Sequence, residues 1–121
     1  MKRMLAAVLL AALAPAANAA LPECRAARAA DPVAGRRCLR QEAEGGAPAA
    51  MFLLAHMLAD GEGGPRDAAA ARTWLERAAE LDYPEALQEM ALGEPDPQRA
   101  ESLMRAAAHA LAHRAHAVDR H

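Results

Sequence analysis

Apolar positions recur along most of the 121-residue chain at three- and four-residue steps, the spacing of helices rather than strands. The pattern is plainest over residues 48–59, where Met51, Leu54, Ala55 and Leu58 form one stripe. Nowhere do β-branched residues alternate as a strand requires, so the chain reads as all helical. Breakers divide it. A short first helix covers about residues 22–29. Asp31-Pro32 opens a second that ends near Glu44, where Gly45-Gly46 supplies a stop. The third covers 48–59, residues 61–66 form a glycine-rich loop, and Asp67 caps a fourth helix reaching about Leu81. Pro84 opens a fifth to about Leu92, and Asp96-Pro97 a sixth to about Ala110.

The first nineteen residues follow another pattern. Lys2 and Arg3 precede an apolar run from Met4 to Leu13, and small residues follow, ending in Ala17-Asn18-Ala19. That is the order of a secretory signal peptide, with cleavage expected after Ala19 and a periplasmic or secreted product. The apolar run is about ten residues, half of what a membrane-crossing helix needs, so no span is expected after cleavage. The remainder, residues 20–121, suits one small domain.

Removal of that segment takes away the only lysine and leaves twelve arginines against sixteen acidic residues. A nucleic-acid binder shows the opposite balance, so no nucleic-acid partner is expected. Alanine, which favours helix and lets backbones approach closely, dominates, and Phe52, Trp74 and Tyr83 are the only aromatics. Cys24 and Cys38 lie seven residues on either side of Asp31. In an antiparallel hairpin turning there they face one another, and in an oxidising compartment such a pair closes to a disulfide.

The chain also repeats itself. A shift of thirty-six residues aligns Asp31 with Asp67, Arg36 with Arg72, Leu39 with Leu75, Glu44 with Glu80, Pro48 with Pro84, and Asp60 with Asp96. Such a period belongs to helix-turn-helix solenoids, in which each unit buries its stripe only by stacking on neighbours. Within residues 50–86, Ala50, Leu54, Gly61, Gly63, Asp67, Ala71, Trp74, Ala78, Ala79 and Ala86 stand in the register of one complete Sel-one-like repeat, a tetratricopeptide-related unit. Ala55, Leu58, Gly64 and Asp82 depart from its pattern. The flanks, about 22–49 and 87–121, resemble degenerate copies, with Cys38 where Trp74 stands and the glycine-rich loop shortened to Gly93-Glu94-Pro95. The resemblance implies a short right-handed α/α solenoid of antiparallel helix pairs that grips a partner protein as an adaptor, regulator or inhibitor. Trp74 is placed to span a helix seam, Ala78 and Ala79 to admit the next helix, and Gly61 and Gly63 to take positive φ.

Little in the chain promises catalysis. Past residue 19 it holds one serine, Ser102, one threonine, Thr73, and no lysine, so nucleophiles are scarce. Glu62 and Asp67 repel phosphate from the 61–66 loop, which also lacks the P-loop lysine. No catalytic residue, cofactor or enzymatic activity is expected. One constellation offers different chemistry. His109, His113 and His116 share a face of any continuous helix and could take a transition metal, which makes a periplasmic metal-binding protein the alternative function. The thirty-six-residue register turns the chain near Ala112, however, and there predicts exposed histidines on a broken face. His56 reads as a packing or edge residue.

Overall fold

The helical spacing, the prolines and the paired glycines yield six helices in a computed structural model, which describes residues 20–119. They are α1 (Leu21–Ala30), α2 (Pro32–Glu44), α3 (Pro48–Asp60), α4 (Ala68–Glu80), α5 (Pro84–Gly93) and α6 (Pro97–Asp119), with no strand among the described residues. The signal-like segment with its cleavage point after Ala19, and His121, lie outside them.

Local chemistry sets the boundaries. Asp31 accepts from Val33 N–H at the start of α2, and Asp67 from Ala70 N–H at the start of α4. Pro32, Pro48 and Pro84 occupy the first helical position of α2, α3 and α5, where a missing N–H removes no intrahelical bond. Gly61 closes α3 in the left-handed conformation at φ 71° and ψ 26°. Cys24 and Cys38 are joined as a disulfide across the α1–α2 hairpin, their Cα atoms 5.3 Å apart. The hairpin is tight at Gly35 as well, where any Cβ would collide with the backbone of Arg28.

Extensive packing runs only between helices that follow one another in the chain, most of all α3 on α4 and α5 on α6. That is the quasi-one-dimensional order of a solenoid. Leu39, Leu54 and Met57 are fully buried, and Trp74 and the small residues Ala43, Ala50, Ala78, Ala86 and Ala107 complete the core. The central helix α3 buries more than the single stripe its spacing suggests. Ala50 and Met57 are enclosed together with Met51, Leu54, Ala55 and Leu58, because α2 and α4 cover it from two sides.

Two further expectations need correction. The sixth helix does not end near Ala110 and the chain does not turn near Ala112: α6 continues to Asp119. Arg114 holds the extension down, with a two-pronged bond to Glu85 of α5 at 2.7 and 2.9 Å and its guanidinium 5.5 Å from the Tyr83 ring. The alignment of Asp60 with Asp96 is also not structural. Asp60 is the last residue of α3, whereas Asp96 precedes α6 and accepts from Gln98 N–H, as Asp31 and Asp67 do at their helices.

Candidate protein-binding groove

The site is built from the way successive units join. After α3 the chain must descend to α4, and it does so through residues 61–66, with Gly61 and Gly63 at φ 71° and 74°. At Gly63 both properties of glycine are used, since a Cβ would also strike the Pro32 carbonyl. The loop is gathered around one side chain. Arg36, on α2 and only 8 % exposed, donates from Nε to Glu62 O at 2.9 Å and from Nη1 to Pro65 O at 2.9 Å. Its Nη2 donates to Met57 O and Gly64 O, both at 3.1 Å. A buried guanidinium thus finds its partners in three carbonyls of a turn that has no ladder of its own and in one from the last turn of α3. Arg28 of α1 adds an ion pair to Glu62 at 2.7 Å.

Arg72 is the counterpart of Arg36 one period on, and its surroundings are open. From Pro48 to Asp67 is nineteen residues, but from Pro84 to Asp96 only twelve, so the second connection is seven residues shorter and does not reach the guanidinium. Arg72 remains 83 % exposed, bonded through Nε to Glu76 of its own helix at 3.0 Å. Beside it lies a cleft of about 420 Å³ lined by Leu75, Glu76, Glu89, Met90 and Gly93-Glu94-Pro95. A second depression of about 350 Å³, floored by Ala55, Ala59, Ala71 and Leu75, shares Arg72 and Glu89 with the first. Together they form a groove over α3, α4 and α5. Its floor is apolar. Its rim carries the carboxylates of Asp60, Glu76, Glu89 and Glu94 with the Arg72 guanidinium among them, and Arg99 approaches Glu94 at 3.9 Å.

Other charged groups near the groove are already engaged. His56 Nε2 lies 2.9 Å from Glu89 Oε1; the approach lacks hydrogen-bond geometry, and the ring packs edge-on against Phe52, so His56 is an edge residue. Farther along, the Arg114 bond holds the Glu85 carboxyl below its ordinary range, while burial raises the Tyr83 hydroxyl.

The residues singled out by the repeat pattern take framework positions. Leu54, Ala78 and Ala86 are wholly buried, Ala71, Trp74 and Ala79 nearly so, and Arg77 lies over the Trp74 ring at 4.9 Å. On α6, His109 and His113 meet, with their Nε2 atoms 3.1 Å apart. No three metal-ligating side chains converge among the described residues, so His116 does not join the pair. Sequence reasoning missed the roles of Arg36 and Arg114. Arg36 was visible only as one half of a repeated pair, and its signal was the pairing of that arginine with a full-length glycine-rich loop.

These features define an all-α solenoid of helix hairpins whose units are joined through an arginine-capped loop. The family model of the Sel1 repeat matches residues 48–83 and 89–110, and the chain is a Sel1-like repeat protein. Comparison with curated proteins and with solved structures finds no match. Sel1 repeats generally mediate protein–protein interaction. Among the described residues no helix is long and apolar enough to cross a membrane.

Proposed function

We propose that the protein is exported and uses the α3–α4–α5 groove to seat a looped, basic segment of a partner protein, acting as adaptor, regulator or inhibitor and not as a catalyst. The observation that carries this reading is the contrast between the two equivalent arginines. Arg36 shows what the position binds when it is filled, namely three main-chain carbonyls of a glycine-bearing turn, besides one from the end of α3. Arg72, with its Nε on Glu76, presents its two terminal nitrogens to an open cleft. A partner's turn entering there meets the guanidinium with its carbonyls, the apolar floor with its side chains and the carboxylate rim with its basic groups. The bonded cysteines and the signal-like first nineteen residues support an oxidising destination, periplasmic or extracellular.

The test is affinity capture from the host's envelope fraction with three oxidised baits, read by quantitative mass spectrometry. One is the natural chain, the second carries Arg72→Glu, and in the third the cleft is filled by inserting Leu-Ala-Asp-Gly-Glu-Gly-Gly, the sequence of residues 58–64, after Gly93. A protein enriched by the first bait and lost from both others supports the groove. Equal retention on the filled chain would place binding elsewhere.

A further inference from the structure

The continuity of α6 past Ala112 restores a face that the thirty-six-residue register would have broken. His109 and His113 stand one turn apart on it, and their rings meet edge to face with centroids 4.5 Å apart. Their Nε2 atoms point at one another across 3.1 Å. Without a metal this is an N–H···N contact in which the tautomer decides which ring donates. The same separation is that of two ligands on one ion: with metal–nitrogen bonds of about 2.0–2.1 Å, it corresponds to an N–metal–N angle of roughly 100°, between the square-planar and tetrahedral values.

We propose that His109 and His113 form a two-imidazole chelate for a divalent late transition metal, held tightest as copper(II). Imidazole suits copper, nickel and zinc, and for a fixed nitrogen pair copper(II) binds most strongly of the first-row divalent ions. The two histidines border a depression of about 290 Å³ together with Asp82, Ala106 and Ala110. Water completes the coordination there, and the Asp82 carboxylate on the rim adds negative charge without being a third ligand, in keeping with the absence of any three-ligand cluster among the described residues. Asp82 is held in place by its turn, since it adopts φ 58°, uncommon for a residue with a side chain. The chelate also has a firm base. Arg114, next to His113, is bonded to Glu85, which keeps this stretch of α6 on α5. The site lies on α6 and at the α4–α5 turn, away from the α3–α4–α5 groove, and stands or falls independently of the peptide-binding reading.

Titration of the oxidised full-length chain with copper(II), followed by electron paramagnetic resonance, tests it directly. One equivalent is expected to bind at micromolar concentration, with hyperfine structure from two nitrogen ligands. His109→Ala and His113→Ala should each weaken binding at least tenfold, Asp82→Asn two- to threefold, and His116→Ala less than threefold. Circular dichroism of each variant separates loss of ligand from loss of helix. The chelate is overturned by the absence of binding up to about 100 micromolar, by undiminished binding in a helical His113→Ala chain, or by a spectrum in which His116→Ala removes a nitrogen.

Discussion

Arg36 and Arg72 occupy the same register in successive units and live in different worlds. The first is buried and holds three carbonyls of the α3–α4 loop and one from the last turn of α3; the second is solvent-exposed and pairs with a neighbour on its own helix. Nothing in the two side chains differs. What differs is the length of the connection that follows, which is full in one unit and seven residues shorter in the next. A repeat position is therefore structural or available according to whether the chain itself supplies the occupant, and a shortened loop exposes a recognition surface that its neighbour keeps internal.

Substitution at the two arginines probes that contrast most strongly. Arg36→Ala removes four hydrogen bonds from a charged donor, some of whose acceptors water can then reach, and is expected to cost about 4 kcal/mol. Arg72→Ala should stay within about 0.5 kcal/mol, as for an exposed pair. Urea denaturation of both variants checks this, and equal losses would remove the distinction. Next in size is the Cys24→Ser/Cys38→Ser chain, which should lose about 3 kcal/mol for a loop of this length. Because Arg28 and Arg36 reach the 61–66 loop from the same hairpin, hydrogen exchange should quicken there and leave α5 and α6 little changed.

Filling the cleft sharpens the comparison. In the chain carrying residues 58–64 again after Gly93, Arg72→Ala is expected to cost about 1–2 kcal/mol more than it does in the natural chain, as the new carbonyls come to depend on it. A coupling near zero would mean that the cleft does not accept such a turn. The smallest effect concerns the α5–α6 clamp. Its folded Glu85 carboxyl lies below the ordinary value, so the stabilisation is present above the unfolded pKa and is lost as pH falls through the folded one. Both partners are more than a third exposed, which limits the contribution to under about 1 kcal/mol. Glu85→Gln should flatten the acid limb of stability measured below the ordinary carboxylate range, and an unaltered limb would show that the clamp adds nothing.

Much of the architecture was legible in the chain because its signals are local. Asp31, Asp67, Pro48, Pro84 and Gly61 act within one turn of their own position, so helix starts and stops follow from nearest-neighbour chemistry. The repeat spacing carried the stacking order for the same reason, since each unit needs only its neighbours. The hairpin bringing Cys24 to Cys38 likewise depends on a single turn at Asp31-Pro32.

Tertiary structure decided the rest, wherever the outcome depends on what lies across a gap. Whether Arg36 or Arg72 is buried is set by a loop more than twenty residues away. Whether α6 stops at Ala110 or runs to Asp119 depends on Glu85 and Tyr83 meeting Arg114 from another helix. That extension in turn leaves His109 and His113 on one unbroken face. Spacing along the chain determines which side chains share a helix face, but only packing between helices determines which of those faces is covered, which is held and which is left open.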